Sequence, residues 1–172
     1  ADVEDTQQAI AYLAGQQKID PKRCLIRGGS AGGYTVLSAL TFTDTFKAGA
    51  SLYGIGDLET LAKDTHKFES RYLDSLIGPY PERRDIYLER SPIHHADGLN
   101  CPVIFLQGLE DKVVPPNQAE MMVKLLEDKG IQVGYVTFAD EGHGFRKANN
   151  IIRAMEAELA FYRDVFSLKG KA

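Results

Sequence analysis

Gly28-Gly29-Ser30-Ala31-Gly32-Gly33 is the stretch on which the reading of this chain turns. It follows a short apolar segment, Cys24-Leu25-Ile26, and runs into Tyr34-Thr35-Val36-Leu37-Ser38-Ala39-Leu40, which reads as a helix. A strand, a glycine turn with a central serine and then a helix make the layout of a nucleophile elbow. A serine on so sharp a turn needs small residues two places to either side, where larger ones would collide with the strand or the helix. Gly28 and Gly32 occupy those places. The turn lifts the hydroxyl out of the fold and aims the first helical N–H groups, which have no partner within their helix, at the same spot.

Outward from this turn the chain alternates. Residues 3–17 predict a helix with Ala9, Ile10, Leu13 and Ala14 on one face; Asp20-Pro21 marks a loop, and Arg23–Arg27 the first strand. Residues 31–41 continue as the elbow's helix, and Lys47–Tyr53 reads as a second strand. Pro102–Gln107 is a third, followed by a helix over Pro116–Lys129 with Ala119, Met122, Leu125 and Leu126 on one face and Gly130 just past its end. Ile131–Phe138 is a fourth strand. A last helix over 148–167 carries Ile152, Met155, Leu159, Tyr162 and Phe166 three and four apart. Short, nearly all-apolar strands alternating with helices predict a mainly parallel sheet covered on both faces, an α/β architecture. Residues 57–99 break the rhythm as an insert, and excursions of that kind from a sheet end build binding sites.

A serine hydroxyl is a weak nucleophile at neutral pH and needs a base within hydrogen-bond reach, itself oriented by a third group. Of four histidines, His66, His94 and His95 fall inside the insert, where no strand end is obvious, and His94 and His95 are expected to pack or hydrogen-bond there. His143 stands between two glycines in Glu141-Gly142-His143-Gly144-Phe145, just after the fourth strand. Asp111 follows the third strand in Gln107-Gly108-Leu109-Glu110-Asp111-Lys112-Val113-Val114-Pro115. Ser30, Asp111 and His143 therefore all lie just past the C-terminal ends of strands, where sites assemble in open α/β folds. The chain order Ser, Asp, His is that of α/β-hydrolases. Each residue also has a plainer reading. The glycine turn is a phosphate cradle in other proteins, although here it lacks the Gly-Lys-Ser/Thr ending. Asp111 reads alone as a turn residue and His143 alone as an ordinary loop histidine, and Glu110, Asp140 and Glu141 compete for the acid role. Tyr53, Phe68, Tyr72 and Tyr80 read singly as core. Phe68 and Tyr72, four apart, would share a helix face and wall an apolar pocket near Ser30, with Val113 and Val114 as a second wall.

The bulk numbers bound the rest. With 172 residues, 44% of them apolar, the chain fills one domain and is too short for two. A net charge of -4 and a pI of about 5.6, with no basic block, argue against nucleic-acid binding. No apolar run approaches membrane-spanning length. Cys24 and Cys101 lie in neither Cys-x-x-Cys nor zinc-ligand spacing and read as free thiols of a reducing, cytoplasmic compartment. No signal-peptide pattern opens the chain, which begins at Ala1 rather than Met, and a processed product or a cut piece is expected.

Five segments together resemble the prolyl oligopeptidase family of serine peptidases, closest to its acylaminoacyl-peptidase and dipeptidyl-peptidase branches. They are Gly28-Gly29-Ser30-Ala31-Gly32-Gly33-Tyr34; Glu69-Ser70-Arg71-Tyr72; Tyr87-Leu88-Glu89-Arg90-Ser91-Pro92; Gln107-Gly108-x-x-Asp111-x-x-Val114-Pro115; and Glu141-Gly142-His143-Gly144-Phe145. The resemblance implies an α/β-hydrolase fold and cleavage of short peptides without metal or organic cofactor. It makes Ser30 the nucleophile, His143 the general base and then acid, and Asp111 the orienting carboxylate. It assigns one oxyanion donor to the Ala31 N–H and the pocket for the side chain preceding the cut to Phe68, Tyr72 and Val114. Family members carry a β-propeller and several sheet strands before the elbow, whereas only 29 residues precede Ser30 here. The expectation is therefore the C-terminal portion of a peptidase domain, residues 1–172, lacking the N-terminal strands and the second oxyanion donor. Such a piece would have little activity alone, with an exposed sheet edge at Cys24–Gly28 that would pair with a second copy. A carboxylesterase with the same residues, or a non-catalytic module of the same fold, are the alternatives.

Overall fold

The computed structural model describes residues 2–64 and 72–168. Helix α1 (Asp2–Gly15) and a 3-10 turn (Pro21–Arg23) lead into β1 (Leu25–Gly29), α2 (Ala31–Phe42) and β2 (Ala48–Leu52). The insert follows with α3 (Leu58–Asp64), α4 (Tyr72–Leu76), α5 (Arg84–Arg90) and a 3-10 segment (Pro92–Gly98). Then come β3 (Val103–Gly108), α6 (Asn117–Asp128), β4 (Val133–Phe138) and α7 (Ala148–Val165). The four strands form one parallel sheet in the order β1-β2-β3-β4, with Ala50 opposite both Arg27 and Ile104, and Phe105 opposite Tyr135. Sequential parallel pairing sends every connection over a face and lines up all four C-terminal strand ends on one edge.

The pleat sorts β3 between two cores. Val103 and Phe105 meet α2 and α6 in a cluster with Val36, Leu40, Met122 and Leu126, while Ile104 and Leu106 meet α7 through Ala154, Ala157 and Phe161. Helix α6 ends at Gly130, φ +69, with the Ile131 N–H reaching back to the Leu126 carbonyl at 2.9 Å. A third cluster, Ile55, Leu58, Leu61, Tyr87 and Val114, roots the insert. Gln118, fully buried on α6, fastens that root: its Oε1 accepts the Gly56 and Asp57 N–H groups at 3.0 and 2.9 Å. Cys24 and Cys101 are free thiols, and burial pushes Cys101 up to about 11. Among the described residues no helix is long and apolar enough to cross a membrane.

Two expectations change. In α1, Ala9 is exposed, and Val3 and Ile10 pack on the core. In α7 three residues of the expected face, Ile152, Met155 and Leu159, are turned outward at 54, 63 and 49% exposure, while its Tyr162 packs on the core. The side facing the sheet is Ala154, Ala157, Glu158, Phe161 and Tyr162. Small residues let the helix approach closely; Phe161 seats over Gly134, where an added Cβ would lie 3.3 Å from its ring. Glu158 then sets the rotation, accepting from Arg27 Nε of β1 at 2.7 Å and from the Tyr162 hydroxyl at 2.6 Å. Burial first, and that bond second, raise the Tyr162 phenol well above its ordinary range.

Candidate active site

At the end of β1 the chain reverses at Ser30, with φ 55 and ψ -121, a backbone region that side-chain-bearing residues rarely occupy. The sheet ladder holds it there: the Ser30 N–H donates to the Leu52 carbonyl at 3.0 Å. Glycine is required on one flank and not on the other. A Cβ on Gly28 would fall 2.4 Å from the Gly32 carbonyl oxygen, whereas one on Gly32 would meet nothing within 4 Å. The expected need at Gly32 is thus corrected. The second obligatory glycine is Gly33, whose Cβ would lie 2.6 Å from the Gly54 Cα where α2 crosses the chain leaving β2. Ala31 is exposed at the first position of α2, where a backbone N–H has no intrahelical acceptor.

Asp111 sits beyond β3 with its carboxylate wholly buried. Oδ1 accepts the N–H groups of Val113 and Val114, both at 2.9 Å, leaving Oδ2 to meet His143 Nδ1 at 2.8 Å. His143 Nε2 lies 2.8 Å from Ser30 Oγ. A buried carboxylate only accepts, so the Nδ1 proton donates to Asp111 and the Ser30 hydroxyl donates to Nε2. Ser30, His143 and Asp111 thus form one hydrogen-bonded line drawn from three strand ends. Tyr53, at φ 39 just beyond β2, packs edge-on to the His143 ring with centroids 5.0 Å apart, and Phe145 packs on Tyr53 at 5.4 Å. Sequence reading placed Tyr53 with the core; its position one residue past β2 was the available signal.

The rival acids are occupied elsewhere. Asp140 pairs with the Lys147 ammonium and accepts from Asn150, and Glu141 accepts the backbone N–H groups of Arg146 and Lys147. Glu110 is exposed. Val114 is 2% exposed within the insert's cluster and its N–H serves Asp111; Val113 is 36% exposed. Tyr72 opens α4 and is 61% exposed, and Phe68, Glu69, Ser70 and Arg71 lie outside the described residues. His94 stands 3.9 Å from Asp57, and His95 packs edge-on to Phe42. A hollow of about 500 Å³ within the insert is lined by Ala62, Leu73, Asp74, Tyr80 and Tyr87 among others, and by none of the three aligned residues. Among the described residues no group of three or more His, Cys, Asp and Glu side chains is placed to hold a metal ion.

A parallel sheet with helices on both faces, an elbow serine and aligned histidine and aspartate at its C-terminal edge define an α/β-hydrolase fold. The chain belongs to the prolyl oligopeptidase family, whose model matches residues 1–169. It is similar to a puromycin-hydrolyzing peptidase of Mycobacterium tuberculosis, at 51% identity and a TM-score of 0.95, over 99% of this chain and 26% of that one. The acylaminoacyl peptidase of Pyrococcus horikoshii superposes with a TM-score of 0.83 at 26% identity, over 94% of this chain and 27% of that one. Dipeptidyl aminopeptidase BIII of Pseudoxanthomonas mexicana is 33% identical over 153 residues, 86% of this chain and 22% of the relative. The chain thus spans about a quarter of the length of these relatives.

Proposed function

We propose that this chain carries the catalytic residues of a serine peptidase acting on short peptides through an acyl-enzyme. The observation that carries the reading is the pair of 2.8 Å contacts at His143, one to Ser30 and one to Asp111. Ser30 Oγ attacks the scissile carbonyl carbon as His143 Nε2 takes its proton, and the imidazolium is stabilised by Asp111 through Nδ1–H. The protonated ring then gives that proton to the leaving amine, releasing it and leaving an ester on Ser30. Water, deprotonated by Nε2, attacks the ester and frees the acid and the serine. Negative charge on the tetrahedral oxygen falls beside the Ala31 N–H at the start of α2, which donates to it. The family resemblance assigns the pocket for the side chain preceding the cut to Phe68, Tyr72 and Val114.

The second oxyanion donor and the gating part belong to segments outside these residues. Loss of one donor costs about 100- to 1000-fold in rate, so residues 1–172 alone are weakly active. Among the described residues β1 has a sheet partner on one side only, and the isolated chain is expected to pair that edge with a second copy, as a dimer in analytical ultracentrifugation; a strict monomer would discard the pairing. The test of the main reading uses the full-length protein. A fluorophosphonate should label Ser30, the Ser30→Ala variant should not label, and an N-acyl aminoacyl amide and puromycin should both be cleaved. An unlabelled full-length protein would remove the enzyme reading; labelling with turnover of esters but of no amide would make it a carboxylesterase.

A further inference from the structure

Glu141 stands two residues before His143 and takes no part in the proton line, yet it is 3% exposed and its carboxylate is spent on the histidine loop and the start of α7. Its Oε2 accepts the Arg146 N–H at 3.0 Å, and its Oε1 accepts the Lys147 N–H at 2.9 Å and the Asn150 side-chain amide at 2.9 Å. Its backbone carbonyl accepts the Glu110 N–H at 2.9 Å, which ties it to the loop bearing Asp111. The same carbonyl would lie 2.4 Å from a Cβ on Gly108, so β3 can end this close only as glycine. One residue therefore closes the loop 141–147 on itself, pins it to α7 and joins it to the acid's loop.

The loop needs such a clasp. Gly142 and Gly144 flank His143, and Gly144 sits at φ +92, so the local backbone has much freedom to lose. Lys147, at the cap of α7, provides no accepting side chain for the helix's leading N–H groups. The Asn150 amide, the Lys147 N–H and the Arg146 N–H hold the Glu141 carboxyl below its usual range, against burial and the nearby Asp140 charge. A glutamine would turn an NH2 toward one of these donors and leave donor facing donor.

We infer that Glu141 is a positioning residue: its clasp on Arg146, Lys147 and Asn150 sets the reach of His143 between Ser30 and Asp111, and so sets kcat. The inference rests on the triad reading above. Displacing a catalytic group by about 1 Å costs on the order of 100-fold. In the full-length protein, Glu141→Gln should therefore slow both kcat and fluorophosphonate labelling by about 10- to 100-fold, with KM within about twofold. The downfield proton resonance of His143 Nδ1–H should move or broaden in the same variant. Should Glu141→Gln fail to fold, Asn150→Ala removes one of the three donors and should lower both rates by about 3- to 10-fold. Rates within twofold of wild type in the folded variant, or a loss confined to KM, would overturn the inference. A wild-type protein that labels beside unaffected variants removes this inference alone, whereas a wild type that does not label removes the triad reading as well.

Discussion

The loops at the strand ends and the insert both rest on buried carboxylates, but they hold them by different means. Asp111 and Glu141 are bound mainly by backbone N–H groups, whose positions are fixed by the chain itself. Glu59, a buried carboxylate of the insert that lies beside the backbone-bound Asp57, is bound by the Arg84 guanidinium, the Lys63 ammonium and the Tyr80 hydroxyl. Arg84 and Lys63 are more than half exposed, so their grip is screened by water and salt. Backbone donors lose little entropy when they bind, and long cationic side chains lose much. The first arrangement suits the proton transfer proposed for the Ser30–His143–Asp111 line. The second suits a cover over the sheet end.

Breaking the first arrangement should have the largest effect. Asp111→Asn keeps the shape but offers the imidazole an amide and the wrong tautomer, and kcat in the full-length protein should fall by about 10,000-fold. Circular dichroism should be unchanged; a fall of under tenfold would detach Asp111 from the proton line. Next comes the elbow. Gly28→Ala forces a methyl against the Gly32 carbonyl and should cost about 3 kcal/mol in urea denaturation, because neither backbone can yield. Gly32→Ala meets nothing and should cost under about 1 kcal/mol, and equal losses at the two positions would contradict the elbow's packing. The smallest effect belongs to the insert. Glu59→Gln should cost about 1 kcal/mol, less in high salt. Its ionic partners and Tyr80, Arg84 foremost, hold the Glu59 carboxyl at about 2 rather than 4.5. The unfolded chain therefore takes up that proton more readily, so this stabilisation is whole above pH 4.5 and drains as pH falls toward 2. Glu59→Gln should flatten that acid limb of the denaturation midpoint, and an unaltered limb would show that the grip is not ionic.

Much of this was legible before any coordinates. The elbow spacing, the four apolar strands and the placement of Asp111 and His143 after strand ends are local patterns, and α/β topology converts strand ends into neighbours. Two readings needed the fold. Period alone could not choose between two apolar stripes on α7, since Ile152, Met155 and Leu159 are as regular as Ala154, Ala157 and Phe161; the Arg27–Glu158 pair from another element made the choice. Gly32 was judged by symmetry about Ser30, which a turn between a strand and a helix does not have.

By itself, then, the sequence determined the parallel α/β layering, the family and the identity of the serine, aspartate and histidine at the strand ends. These follow from periodicity and short-range spacing, which act within a few residues. Tertiary structure alone decided which donors hold each carboxylate, which face of α7 meets the sheet and how Glu141 closes the histidine loop. Those outcomes depend on distances between segments far apart in the chain, and a linear pattern does not encode which of several equally regular surfaces finds the partner that leaves no buried charge unmet.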